Sequence, residues 1–268
     1  MSRTLAIWLA MLALLTALPV TWLATRQIDP TASLSWAVLV IAYSPTLAAL
    51  VAVVATGGGA GLCAWGRRLL RFRVAPGWYV LVFLGPMCVV MAAHVVDLVG
   101  SRPPASQWFD LGGPAAAAGS LVAGSIGEEP GWRGLAHPEL RREHSLAVAG
   151  LVVGIIWASW HNWIAFFPAS HSTVPDVLFG CLRLIATAII YGWLYDATRG
   201  SVPVVMVAHL GHNLAVALLP STTGHSVALI AAGYVLIAIA VLICRRPRIR
   251  PQLGIDRAGS PDHVESAE

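Results

Sequence analysis

Eight ionisable side chains stand in stretches that are otherwise apolar: His94, Asp97, Glu128, Glu129, His161, Arg183, His209 and His212. An ionisable group at membrane depth costs roughly 2.5–3.5 kcal/mol on insertion scales, so it faces a bundle interior or a wet cavity. Three groups of these residues have spacings that could do chemistry. Glu128 and Glu129 are adjacent carboxylates that repel each other and can share a proton. Arg133, four residues after Glu129, can neutralise one of them. Trp157 and His161 are four apart on one helix face, and an imidazole is the side chain best suited to moving a proton near neutral pH. His209 and Asn213 are also four apart, with His212 partly on the same face. A neutral imidazole and an amide there could present two donors to a developing oxyanion.

Each group has a plainer reading. The carboxylates could be a helix end at the interface, His161 a hydrogen-bonded core residue, and His209 with Asn213 polar glue between helices. Taken together, a carboxylate and His161 could activate a water while His209 and Asn213 hold the tetrahedral intermediate, so the set contains every part of a hydrolytic site.

The elements that must position these residues are membrane helices. The 268 residues are 57% hydrophobic and 11% charged, with a mean hydropathy of +0.73. Soluble domains carry roughly 25% charged residues, so lipid is the natural solvent for this composition. Eight apolar runs approach the ~20 residues that span a bilayer as helix: Leu5 to Leu23, Leu34 to Thr56, Trp78 to Val99, Pro114 to Glu128, Leu146 to Phe167, Val177 to Tyr195, Val202 to Leu219 and Ser226 to Cys244. The first reads as a retained helix rather than a cleaved signal, since no A-x-A site follows it. The fourth is rich in Ala and Gly, which lets neighbours pack closely. Pro130 is expected to break or kink its end.

Every basic residue is arginine. With both termini cytoplasmic and eight spans, fourteen arginines fall in cytoplasmic segments and two, Arg26 and Arg102, outside, a strong positive-inside bias. That count places the carboxylates at the cytoplasmic end of the fourth span. No aromatic–basic interleaving suggests nucleic acid. Cys63, Cys88, Cys181 and Cys244 form no C-x-x-C pair and read as small buried hydrophobes.

The expected fold is thus an all-α polytopic bundle of about eight spans. Residues 1–113 supply N-terminal helices and an arginine-rich loop, 114–219 a catalytic core, 220–244 the last helix and 245–268 a disordered tail. The surrounding partner is membrane lipid.

At these residues the chain resembles the CPBP family, which comprises type II CAAX prenyl endopeptidases and the bacteriocin-processing or immunity (Abi) proteins. The family motifs E-E-x-x-x-R, F-x-x-x-H and H-x-x-x-N match as Glu128-Glu129 with Arg133, Trp157 with His161, and His209 with Asn213. Trp157 stands where the family most often has Phe. Gly127-Glu-Glu-Pro-Gly-Trp-Arg-Gly134 and Thr198-Arg-Gly-Ser-Val-Pro203 are also similar to the family. The resemblance implies an intramembrane endopeptidase acting on a membrane-associated or lipidated peptide. Glu128 would activate water with help from His161, Glu129 and Arg133 would shape the site, and His209 and Asn213 would form the oxyanion hole.

The family is often named metalloprotease. Glu128, His161 and His209 are acceptable zinc ligands, but no H-E-x-x-H is present, and the favoured chemistry needs no metal. A non-catalytic immunity or partner-binding protein on the same scaffold is the alternative. An ion-coupled transporter is disfavoured, because no repeated half is visible. The Ala- and Val-rich, lysine-free composition suggests a bacterial plasma membrane, with the site open to the cytoplasm.

Overall fold

The computed structural model describes residues 1–30, 35–110, 122–167, 173–219 and 225–244. Among them there are helices and no strands. The apolar runs become α1 (Arg3–Thr25), α2 (Trp36–Leu69), α3 (Pro76–Ser101), α4 (122–141), α5 (Leu146–His161), α6 (Val174–Ala197), α7 (Val202–Leu218) and α8 (His225–Cys244). Six of these are long and apolar enough to cross a membrane, and α7 is a shorter apolar helix. Large apolar side chains such as Leu84, Val96, Ile155, Leu178 and Leu236 point outward. In water that surface would drive aggregation, whereas in lipid it costs nothing. The protein is an integral membrane protein.

Local capping sets several helix starts. Ser2, Ser35, Ser145 and Ser201 accept from backbone amides of the first turn. Thr173 and Asp176 form a reciprocal capping box at α6. α1 packs along α2, α5 along α6, and α3 along α7, while α8 closes against α6 and α3. α4 is enclosed between α2 and α7. The α5–α6 contact is close because Gly150 and Gly154 have no side chain. A Cβ there would come within 2.9 Å of the Ile189 Cα and 2.7 Å of the Ile185 Cα.

Three expectations need correcting. The second run does not stop at Thr56. The chain turns at Gly58, where φ is +53°, and helix continues to Leu69. The glycine absorbs a conformation that other residues resist, and the extension carries Trp65 and Arg68 onto α4. There Trp65 Nε1 donates to the Pro130 carbonyl at 3.1 Å and Arg68 to the Gly134 carbonyl at 2.9 Å.

Pro130 does not break α4 either. The segment Gly127–Gly131 is α-helical and is flanked by π-helical Val122–Ile126 and Trp132–Ala136. Wider turns on both sides accommodate the missing N–H and the ring. The carboxylates therefore lie inside a continuous helix, twelve or thirteen residues before Arg141, rather than at its end. Most of the expected fourth run, 114–121, lies outside the described residues, as does the tail.

The cysteines are unpaired, and Cys63, Cys88 and Cys244 are exposed rather than buried. In a bundle solvated by lipid, a small apolar side chain is at home on the outer face.

Candidate active site

The structure gathers the expected residues around α4. Glu129 and Arg133 are both fully buried. Arg133 Nη1 reaches each Glu129 oxygen at 3.1 Å. The guanidinium lies 4.4 Å over the Trp157 ring and 5.0 Å from the Tyr191 ring. Its Nε and Nη2 have no hydrogen-bond partner, and the two π faces take that place. Replacing Arg133 by Met leaves the buried Glu129 charge with only the His209 imidazole, 2.9 Å away, as a partner. Breaking such a pair costs about 3–5 kcal/mol, so thermal unfolding in detergent micelles is expected to fall sharply for this variant. An unchanged midpoint would show that the pair contributes nothing net.

His209 completes this group from α7, with Nδ1 2.9 Å from Glu129 Oε1. A carboxylate paired with arginine can only accept, so Nδ1 carries a proton and Nε2 faces the site. This bears on the neutral imidazole expected from sequence. With Nδ1–H committed to Glu129, Nε2 donates only if the ring holds a second proton.

Glu128, 5% exposed, is held from above by two indoles. Its Oε2 accepts from Trp157 Nε1 at 2.7 Å and from Trp132 Nε1 at 3.3 Å. Two N–H donors fix the orientation of this carboxyl group. The other oxygen, Oε1, points to a gap left by Gly124. A Cβ on Gly124 would lie 2.8 Å from Asn213 Nδ2, 3.4 Å from His209 Nε2 and 3.7 Å from Glu128 Oε1. One point in space, kept empty by a glycine, is thus within reach of a carboxylate, an imidazole and an amide. The missing side chain leaves room beside Gly124, bordered by all three groups, in which a water or a reacting carbonyl oxygen could sit.

His161 joins through Trp157. Its Nδ1 is 3.1 Å from the Trp157 carbonyl, which only accepts, so Nε2 carries the lone pair. His161, His209 and Asn213 line one cavity of about 430 Å³, together with Arg183, Thr187 and Tyr191 from α6 and Val216, Val227 and Ile230. The cavity runs toward Asp176 at the start of α6. That is the opposite end of α6 from Arg199, whose carbonyl accepts from Arg71. His212 lies beside the site. It accepts from Arg183 Nη1 at 2.7 Å and meets the Tyr234 hydroxyl at 2.8 Å. His94 and Asp97, on α3, are buried away from this cluster, with His94 Nε2 2.7 Å from the Trp108 carbonyl.

Two participants were not singled out as site residues from the sequence: Gly124, which lay unremarked in a stripe of small residues, and Trp132, whose i,i+4 spacing from Glu128 was a readable signal. Glu128, His161 and His209 do not gather as a metal triad. Among the described residues no three His, Cys, Asp or Glu side chains are grouped to hold an ion.

The fold and site define a class: a bundle of membrane helices enclosing a carboxylate–histidine–asparagine cluster that opens to an internal cavity. Residues 111–215 match the family model described as type II CAAX prenyl endopeptidase Rce1-like, and the resemblance carried by the three motifs is borne out. The chain is also 28% identical over 141 residues to a CAAX prenyl protease 2 of Methanococcus maripaludis, strain S2. The match covers 50% of this chain and 51% of that relative, so the chain spans about half the length of the curated relative it matches.

Proposed function

We propose that the protein is an intramembrane endopeptidase that hydrolyses a peptide bond of a membrane-associated or lipidated peptide or protein. The observation that carries this reading is the convergence of Glu128 Oε1, His209 Nε2 and Asn213 Nδ2 on the gap at Gly124. A water in that gap gives a proton to the Glu128 carboxylate, and its oxygen attacks the scissile carbonyl. The oxyanion that forms takes hydrogen bonds from Asn213 Nδ2 and from His209 Nε2 in the imidazolium form. Glu129 supports that form by accepting from Nδ1. As the C–N bond breaks, Glu128 returns its proton to the leaving amine. His161, its lone pair on Nε2, assists in holding the water.

Charge balance supports these states. With Glu128 and Glu129 ionised, Arg133 and an imidazolium His209 make the cluster neutral. A proton moved from His209 to Glu128 keeps it neutral. Either form is affordable where water is scarce. No step runs through a metal, so stoichiometric zinc in the active protein, removed together with activity by a chelator, would overturn this part of the reading.

The reading extends to place and partners. On the arginine count the arginine-bearing end faces the cytoplasm of a bacterial plasma membrane, and the substrate is a peptide rather than nucleic acid. The non-catalytic alternative on the same scaffold makes the opposite prediction for one experiment. Membrane peptides from cells carrying wild-type protein are compared by mass spectrometry with those carrying Glu128→Ala or His161→Ala. The expected result is the same set of uncleaved precursors in both variants, at equal protein levels. An unchanged peptide profile would sink the peptidase reading.

A further inference from the structure

Two connections far apart in sequence bring arginines together at one end of the bundle. The end of α2 and the turn after it carry Arg67, Arg68, Arg71 and Arg73, and the turn between α6 and α7 carries Arg199. Arg71 Nη1 donates to the Arg199 carbonyl, and Ser201 Oγ donates to the Arg71 carbonyl at 2.7 Å. The Tyr79 hydroxyl holds the same turn through the Phe72 carbonyl at 2.9 Å. Backbone and side-chain bonds thus build the cluster into the fold. Arg199 itself sits at φ +57°, a left-handed conformation that suits glycine or asparagine better, so local backbone preference does not account for an arginine there.

No acid answers these charges. Residues 57–79 contain neither Asp nor Glu. Among the described residues no ion pair includes any of the five arginines. Asp196, three residues before Arg199, is held by Arg141 at 3.0 Å and His137 at 3.4 Å. Arg68 bonds the Gly134 carbonyl, which leaves its charge uncancelled. The negative end of the α2 dipole offsets part of Arg67 and Arg68, which lie in its last turn, but Arg71 and Arg73 follow the helix. A positive-inside bias needs only a count of arginines on one side. It does not require two separate connections to be tied into one patch.

The surface beside the cluster is apolar. Leu70 is 73% exposed and Phe72 58% exposed, while Arg67, Arg71, Arg73 and Arg199 are exposed around them. The 34 residues of α2 measure about 50 Å along the helix, against ~30 Å for a bilayer's hydrocarbon core. Its arginine-bearing end therefore stands in the headgroup layer. Guanidinium groups bind phosphate through a planar fork. Cations and exposed apolar side chains at that depth complement a ligand with an anionic head and an apolar tail.

We propose that the arginines of 67–73 and Arg199 form a binding site for the phosphate headgroup of an anionic phospholipid, with Leu70 and Phe72 against its acyl chains. The bound phosphate neutralises like charges that the fold holds together and ties the α2–α3 turn to the α6–α7 turn. Trp65 and Arg68 bond carbonyls of α4, and Ser201 caps α7. The lipid thus rests on the elements that carry Glu128, Glu129, His209 and Asn213. This site stands apart from the peptidase reading, and neither falls with the other.

Lipid retention by the full-length protein tests the proposal. Protein is released from nanodiscs of equal parts phosphatidylglycerol and phosphatidylcholine with matched acyl chains, and the lipids still bound are counted by native mass spectrometry. Wild type is expected to retain phosphatidylglycerol at least about tenfold over phosphatidylcholine. Arg67→Gln with Arg73→Gln removes two charges that make no ion pair among the described residues, and the ratio should fall to about one. Arg73→Gln alone should lower it about fivefold and keeps the test open if the double variant does not fold. Arg26→Gln with Arg102→Gln removes the same charge from the opposite end of the bundle and should leave the ratio unchanged. Equal retention of both lipids by wild type overturns the proposal, as does an undiminished ratio in Arg73→Gln. An equal loss in the Arg26 and Arg102 variant shows diffuse attraction and overturns it too. Inorganic phosphate is then compared with chloride at the same ionic strength. If phosphate alone abolishes the preference of wild type, the site belongs to a soluble anion and the lipid assignment falls.

Discussion

Glu128→Gln is expected to lower kcat/KM by about 10³-fold or more while the protein inserts and folds normally. The substitution is nearly isosteric. The amide oxygen can still accept from Trp157 and Trp132, which now hold Glu128 Oε2 at 2.7 and 3.3 Å. What disappears is the group that takes a proton from water and returns it to the amine, a role worth typically 10²–10⁴-fold. The loss should fall on kcat and leave KM nearly unchanged, because a base acts in the transition state and contributes little to binding. Steady-state kinetics on a peptide identified from the membrane comparison provides the check. Turnover above a tenth of wild type would remove Glu128 from the role of base.

The second large effect is expected at a residue with no functional atoms. Gly124→Ala places a methyl group 2.8 Å from Asn213 Nδ2 and 3.4 Å from His209 Nε2. The methyl intrudes on the space that these groups border, so either Asn213 swings away or the substrate oxygen is crowded out. A loss of about 10²-fold in kcat is expected, comparable to removing one oxyanion donor. Stability should hold or rise slightly, since Gly→Ala at an accessible backbone conformation reduces unfolded-state freedom by roughly 0.4–1 kcal/mol. Circular dichroism, thermal unfolding and kinetics on the same preparation separate the two effects. Gly131 gives the contrast. A Cβ there would run into the Pro45 carbonyl, so Gly131→Ala should impair folding itself. Full activity in Gly124→Ala would show that the gap is not where the reaction occurs.

Much of the bundle was legible because lipid imposes a length and a polarity on each helix. The runs around α1, α3, α5, α6, α7 and α8 end within a few residues of the helices observed. The misses are local. An apolar count stops at the glycines after Thr56, although a single turn at Gly58 suffices to continue α2. Pro130 carries a strong breaking signal, but the π-helical segments on both sides accommodate it. Within the site, pairs on one helix were readable from spacing: Glu129 with Arg133, Trp157 with His161, His209 with Asn213. Relations between helices were not. That Glu129 would claim His209 Nδ1 decides which ring nitrogen faces the cavity, and it depends on how α4 and α7 meet. The spacing of Trp132 from Glu128 was visible, but the convergence of two indoles on one oxygen needs α5 in place. Gly124 could not be distinguished from its small neighbours, because its importance lies in what surrounds it.

The pairing of Glu129 with both Arg133 and His209 has a consequence for the order in which the protein is made. Arg133 is four residues away on the same helix, while His209 is 80 residues further along the chain. As α4 leaves the ribosome, its buried carboxylate already has a countercharge and can enter the bilayer as a neutral pair. The imidazole arrives only after α5 and α6 have been synthesised, at roughly 5–20 residues per second. The nascent chain therefore carries Glu129 and Arg133 as a pair for several seconds before His209 joins them. On the peptidase reading, a chain whose synthesis stops before α7 lacks His209 and Asn213 and so has an incomplete site.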